Sequence, residues 1–407
     1  MIRARLAGRA GRRPALEVLP QHLDVGLLSP VRAGTAVESA VSDHEWLAAL
    51  LDAETALVRA HARLGTVPRA AAQTITEAAL ADGFDLTPLA IAVRRSGHPV
   101  TGLVQGLTAL VRERDPAAAR FVHLGVCAQD ILDTASMLVS RRSLELIIID
   151  LDYSTEALVR LARTYRDAPM ATAVPGAATT FGLRAAGWLL LMRETAKRLR
   201  RLADSLPVQI GGGDQGAADH LATEARGPDG EAGSLAEVYA DELDLAVPEL
   251  PWHDLRTPVA DVAGAMAAAA GALGRVAADV HALSAWGTGE VAEPARPGGP
   301  SLVSDQGPPR TLLIRAAAQQ VPPLALVLQA SALGGDPCPG GAWYAEYQPL
   351  SEVLRLVGGA ARSTAGLLRG LTVRPERMRA LLAPSAGEET VRRVVSAALV
   401  ADRVVRG

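Results

Sequence analysis

The chain has 407 residues, 49% of them hydrophobic, which is enough to bury a large core and leads us to expect two or three domains. A net charge of -3 gives no sign of a polyanion-binding surface, and an aromatic content of 3% argues against a base-stacking platform. The two cysteines, Cys127 and Cys338, do not make a disulfide framework, so a reducing cytoplasm is expected.

The first stretch carries Arg3, Arg5, Arg9, Arg12 and Arg13 without an apolar run, which reads as a disordered basic tail over 1–25 rather than a secretory signal. Gly26 to Ala40 reads as loop and turn. Ser42 then caps a helix, with Glu45 three residues on, and that helix stops at Gly65. A second helix follows Pro68 and ends near Gly83. Ser96-Gly97-His98-Pro99 is a sharp break, and a third helix starts near Thr101.

From Val126 to Ala168 there is no Gly or Pro, and Ile131, Leu138, Leu144, Ile147, Ile148, Leu151, Leu158 and Leu161 recur at helical spacing. This predicts a rod of roughly 60 Å, too long for one small domain. It demands a bundle of comparable helices, or packing on other subunits. Ala171 to Ala178 breaks the pattern, which resumes from Thr179 to Leu206 with a solvated basic face of Arg193, Lys197, Arg198, Arg200 and Arg201.

Gly211, Gly213 and Gly216 match a dinucleotide-binding spacing, but a helix rather than a strand precedes them, so a turn is the expectation. Val259 to Trp286 repeats small residues at helical spacing, which lets helix axes approach closely. Asp261, Arg275 and Asp279 interrupt that stretch, so it is not read as a membrane span. Pro294 to Thr311, rich in Gly and Pro, is a long loop: either disordered or a cover over a ligand. Further helices are predicted over Leu312–Ala332, Gln348–Leu367, Pro375–Leu382 and Glu388–Val405. The predicted class is all-α.

No metal set emerges. His123 and Cys127 share a helix face at i and i+4, but two ligands do not make a zinc site. Polar clusters sit at the breaks between long helices: His123 to Asp130, Thr179-Thr180, and the 294–311 loop. Helix starts offer unpaired N–H groups to an anionic substrate, whereas Asp130 and Thr179 read equally well as ordinary caps.

At these clusters the chain resembles the aspartase/fumarase superfamily, in the branch of 3-carboxy-cis,cis-muconate cycloisomerase and adenylosuccinate-lyase-like proteins. The resemblance rests on Gly97-His98-Pro99-Val100, His123-Leu124-Gly125 with Gln129-Asp130-Ile131-Leu132-Asp133-Thr134, Arg166-Asp167-Ala168-Pro169-Met170, Thr179 through Trp188, Leu250-Pro251-Trp252-His253, Gly289-Glu290-Val291 with Glu293-Pro294, Leu313 through Ala318, and Ala342 through Glu346. It implies three helical domains over 26–110, 111–340 and 341–407, the middle one a long-helix bundle. It also implies a homotetramer with sites shared between subunits, and a chemistry that takes a proton next to a carboxylate and then breaks a C–N or C–O bond, or runs the addition to a lactone. No cofactor or metal is implied, and the 294–311 loop falls where the family keeps a mobile lid.

Three departures accompany the resemblance. The family's first motif carries Thr-Ser hydroxyls that hold a carboxylate, where this chain has Cys127-Ala128. Its second carries a Gln-His pair, where this chain has Ala173 to Ala178. The Ser that serves as base aligns with Pro300, with Ser301 the nearest replacement, and the motif's Lys and Asn are absent. Losing all three together would erase most of an ordinary rate, so the standard fumarate-releasing reaction is not expected.

The resulting candidates are Ser301, His123 and Cys127 for catalysis. Arg32, Gln129, Asp130, Thr179, Thr180, Arg256, Ser304 and Arg315 are the candidates for binding a carboxylate. A thiol at a helix start is expected to ionise more readily. Each candidate has a structural alternative: Cys127 as a small buried hydrophobe, His123 as a hydrogen-bonded framework residue, the arginines as ion pairs. Three functions follow: a repurposed lyase or cycloisomerase in specialised or aromatic-acid metabolism, a catalytically silent structural or regulatory member, or a retained lyase or cycloisomerase whose loop motif stands in a different register.

Overall fold

The computed structural model describes residues 24–171, 178–211, 225–226, 232–285, 287–293, 309–333 and 343–382. Residues 1–23 of the basic tail, Ala173 to Ala178 except the last, Gly213 and Gly216, most of the 294–311 loop with Ser301 and Ser304, Cys338, and the predicted helix over Glu388–Val405 lie outside the described residues. What is described is helical, as predicted; its strands are two- or three-residue ladders at helix ends.

The N-terminal region holds α1 (Ala36–Ala40), α2 (Asp43–Arg63), α3 (Arg69–Ala78), α4 (Leu86–Ser96) and α5 (Pro99–Arg114). Ser42 caps α2 as expected, accepting from Glu45 N at 3.3 Å. Helices α1 and α4 were not anticipated. Thr35 and Asp85 cap them, side-chain signals that stand beside Pro and Gly in the sequence. Gly97 closes α4 in the left-handed conformation (φ 74), where a Cβ is disfavoured, and so swings His98 to the start of α5.

The centre is built from α6 (Ala128–Thr164), α7 (Phe181–Ser205), α9 (Thr257–Ser284), α10 (Pro309–Ala330) and α11 (Tyr344–Arg369), with α8 (Leu235–Leu243) packed on α2. Each of the five packs on the next around a ring: α6 on α7, α7 on α9, α9 on α10, α10 on α11, and α11 back on α6. At 37 residues, α6 is a rod of ~55 Å. β1 (Pro169–Ala171) and β2 (Ala178–Thr180) pair antiparallel and reverse the chain, so α7 runs back along α6. The pairs Asp152–Arg200 and Thr134–Gln209 mark that antiparallel course.

Helix α11 packs against α6, α9 and α10 along the bundle. A glycine lets the N-terminal segment cross it: a Cβ on Gly359 would lie 2.2 Å from the carbonyl oxygen of Val31. Thr257–Ser284 and Pro309–Leu333 are long and apolar enough to cross a membrane by length and composition, and these two stretches pack on each other within the bundle.

Candidate active site

The first cluster forms at the N-terminal end of α6. The chain turns through two left-handed residues, His123 (φ 59) and Gly125 (φ 75), before Cys127 caps the helix. His123 Nδ1 lies 2.7 Å from Glu54 Oε1, on the core face of α2. The Glu54 side chain is 1% exposed and that of His123 19%.

A second imidazole stands beside it. His98 Nδ1 accepts from Val100 N at 3.3 Å, capping α5, and its Nε2 lies 3.1 Å from Gln129 Oε1. With Nδ1 accepting, Nε2 carries the proton and donates to Gln129. Burial holds the His98 pKa below its ordinary value; the Gln129 bond opposes this and nearby His123 adds to it.

Gln129 in turn donates to Asp133 Oδ1 at 2.7 Å, and Asp133 Oδ2 receives Arg256 Nη1 at 2.6 Å. Arg256 Nε donates to Glu346 Oε1 at 3.0 Å, its Nη2 to Glu346 Oε2, and its Nη1 also to the His253 carbonyl at 3.2 Å. The guanidinium lies between Trp252 and Trp343, 5.4 and 6.0 Å from the ring centroids. Burial pushes Asp133 up to about 6 against the pull of Arg256.

Three expectations are corrected. Arg256 is not an open anion partner, because its donors are taken by two carboxylates and a carbonyl and its side chain is 2% exposed. The Cys127 thiol is not activated: burial, then the Asp130 carboxylate, push it up to about 12, which overrides the helix start. Asp130 accepts from Cys127 N and from Gln209 Nε2, both at 3.0 Å, so it serves as a buried cap. Arg32 is likewise engaged, bonding Asp24 at 2.7 Å and also Glu38.

The second cluster lies at the other end of the bundle. Thr180 caps α7 by accepting from Leu183 N at 3.1 Å. Thr179 borders a cavity of about 470 Å³ lined also by Arg184, Trp188, Arg275 and Asp279. Asp279 there accepts from Trp188 Nε1 at 2.9 Å and from Arg275 and Arg184 at 3.3 and 3.4 Å. Glu293 caps α10 across the loop, accepting from Arg310 N at 3.1 Å and Thr311 N at 2.9 Å. Arg315, one turn further along α10, is half-buried and has no ion pair among the described residues.

Apart from Arg32, held by Asp24 and Glu38, and Arg315 on α10, the described site candidates fall into two groups. His123, Cys127, Gln129, Asp130 and Arg256 gather at the N-terminal end of α6. Thr179 and Thr180 sit beside Ala168, past its C-terminal end: Phe181 N donates to the Ala168 carbonyl at 2.9 Å. The length of α6, ~55 Å, separates the two groups within one chain.

Sequence reasoning missed Glu54, His98 as a cap, Asp133 and Glu346. Glu54 had a readable signal, an acid at helical spacing among Leu50, Leu51, Leu57 and Val58, all buried. Nothing in the sequence pairs Asp133 with Arg256 and Glu346, which come together only through the bundle. Among the described residues, no three His, Cys, Asp or Glu side chains converge as metal ligands.

Comparison with known proteins agrees with this architecture. A family model described as lyase matches residues 30–305. The chain is 51% identical to nitrosuccinate lyase of Streptomyces davaonensis over 92% of this chain and 80% of that protein. It is 36% identical to 3-carboxy-cis,cis-muconate cycloisomerase of Bradyrhizobium diazoefficiens over 88% and 79%. The crystal structure of 3-carboxy-cis,cis-muconate lactonizing enzyme from Pseudomonas putida superposes with a TM-score of 0.79 at 29% identity, covering 94% of this chain and 88% of that one. The chain is a lyase-family enzyme of the aspartase/fumarase superfamily.

Proposed function

We propose that the protein removes a proton next to a carboxylate of a small substrate and expels the group on the neighbouring carbon, or runs the related cyclising addition, at sites completed by other copies of the chain. The observation that carries this reading is the His123–Glu54 pair: a partly exposed imidazole with one nitrogen held at 2.7 Å by a buried carboxylate and the other without a partner among the described residues. It supplies an acceptor for the substrate proton where the family's usual base aligns with Pro300.

The motif departures narrow the leaving group. An amine or alkoxide must be protonated as it departs, and the chain has no His over 173–178 to do this. A group that leaves as a stable anion needs no such acid. The similarity to nitrosuccinate lyase supports a nitro group: the C–H proton goes to the imidazole, the C–H pair forms the double bond, and nitrite leaves with the C–N pair. Loss of nitrite from nitrosuccinate itself leaves a butenedioate, so this reading gives up the expected exclusion of fumarate-releasing chemistry for that substrate and retains it only for amine-bearing succinyl compounds.

The separation of the two clusters supports a shared site in a homotetramer, since one chain holds them ~55 Å apart at opposite ends of α6. The domain division at 110 and 340, a cytoplasmic setting, and a lid role for the 294–311 loop, with Ser301 and Ser304 on it, belong to the same reading.

The test is turnover by the purified assembly of nitrosuccinate, carboxymuconate and an amine-bearing succinyl compound. Nitrite release from the first and none of the corresponding amine from the last is the expected result. No turnover of any of the three by a folded assembly would leave the catalytically silent reading.

A further inference from the structure

Two imidazoles, His98 and His123, stand at the start of α6, and their surroundings differ in a way that assigns their roles. His98 is satisfied at both nitrogens, by the Val100 N–H and by the Gln129 carbonyl. It has no free lone pair to offer a substrate proton. Among the described residues, His123 is engaged only at Nδ1, by a carboxylate oxygen at 2.7 Å. A carboxylate only accepts, so Nδ1 must carry the proton, and Nε2 keeps its lone pair free.

The backbone agrees. His123 holds a left-handed φ of 59, uncommon for a residue with a Cβ, and such conformations persist where the surroundings fix them. Glu54 is one of those surroundings. It sits in the middle of α2 among Leu50, Leu51, Leu57 and Val58, a position where a charged side chain is rarely fully buried unless it is paired.

We propose that Glu54 is the positioning residue of the site: its carboxylate fixes His123 as the Nδ1–H tautomer and so dedicates Nε2 to accepting the substrate proton, while His98 takes no part in proton transfer. This rests on the proton-abstraction reading above for its catalytic meaning, but the tautomer is a property of the resting protein. When the proton arrives at Nε2, the imidazolium that forms stays hydrogen-bonded to the Glu54 carboxylate. The substrate's electrons leave with its departing group, and no other reactant is needed.

The decisive measurement is solid-state nitrogen NMR on the intact assembly labelled with ¹⁵N-histidine, with His123 assigned by its loss in His123→Asn. The expected result at neutral pH is a protonated Nδ1 and an unprotonated Nε2 for His123. In Glu54→Leu, which fills the core position with an apolar side chain that cannot accept a hydrogen bond, the tautomer shifts to Nε2–H. In Glu54→Gln, whose carbonyl still accepts, Nδ1–H is retained. With nitrosuccinate as the probe substrate, Glu54→Leu lowers kcat about 10²- to 10⁴-fold with little change in KM. A wild-type His123 protonated at Nε2, or an unchanged spectrum in Glu54→Leu, overturns the assignment. Should Glu54→Leu fail to fold, the wild-type and Glu54→Gln spectra decide it. If the spectra come out as expected and nitrosuccinate is not turned over, the proposed reaction falls and the positioning role stands.

Discussion

Arg256 Nη1 and Asp133 Oδ2 lie 2.6 Å apart in a site where their side chains are 2% and 1% exposed, so the joint between the α9 entry loop and α6 is an ion pair sealed from water. Glu346 at the start of α11 closes it from the other side. Three pieces of chain that are remote in sequence are therefore locked by one guanidinium.

The first prediction concerns that lock. Removing one partner of a buried pair leaves the others charged and undischarged, which costs about 3–5 kcal/mol. Arg256→Met strands two carboxylates, so it is expected to lower the melting temperature more than Asp133→Asn, which leaves Arg256 bound to Glu346. Differential scanning calorimetry of the two variants compares them. Equal melting temperatures would refute the triad as the joint between these segments.

The second prediction is a pH dependence with a fixed sign. The folded pKa of Asp133 is raised from 3.8 to about 6, so between those values the folded protein holds a proton that the unfolded chain has released. Stability from this group is therefore lost as pH rises from about 4 to about 6. His98 runs the other way: its folded pKa is lowered, so the unfolded chain binds the proton first and stability is gained as pH rises through the His range. Protonating His98 would also place a proton on Nδ1, against the Val100 N–H it now accepts. Asp133→Asn should lose the falling limb and keep the rising one in a plot of melting temperature against pH. A variant whose curve parallels the wild type would refute the assignment.

The third prediction tests a close approach. At Gly359 a Cβ would meet the Val31 carbonyl carbon at 2.6 Å and its oxygen at 2.2 Å, both backbone atoms that no rotamer change can move. Gly359→Ala must push the 31–37 segment off α11, at a cost of about 1–3 kcal/mol or more. Val37, which packs on neighbouring Gly358, would be displaced with it. Limited proteolysis should then cut ahead of α1 faster than in the wild type, and an unchanged rate would count against the packing.

The long helices and their order were legible because their apolar spacing and punctuation are local: Ser42 and Glu45 mark one start, and α6 shows itself by the lack of Gly and Pro. The site was legible only where the family pattern names its residues. The helix start of Cys127 points to an activated thiol, but burial, which is not visible along the chain, and the carboxylate of Asp130 decide its pKa. Arg256 was read as an anion partner because its two carboxylates stand at positions 133 and 346. Glu54 lay in plain view as an acid on a core face, but its partner His123 becomes apparent only when α2 docks on the start of α6.

The last prediction follows from the separation of the clusters. His123 is at one end of α6, while Thr180, Glu293 and the start of α10 are at the other, a rod of ~55 Å apart. If one reaction needs both ends, one chain cannot supply a complete site, and neighbouring copies must. A chain carrying His123→Ala and a chain carrying Ser301→Ala with Ser304→Ala are each expected to be inactive on nitrosuccinate when assembled alone. Co-expressed and purified as mixed assemblies, they should recover measurable nitrite release, because some sites then draw His123 from one chain and the loop from the other. Light scattering on the same samples should give the mass of four chains. Mixed assemblies of that mass with no recovered activity would show that each chain serves its own site, and the shared-site reading would have to be abandoned.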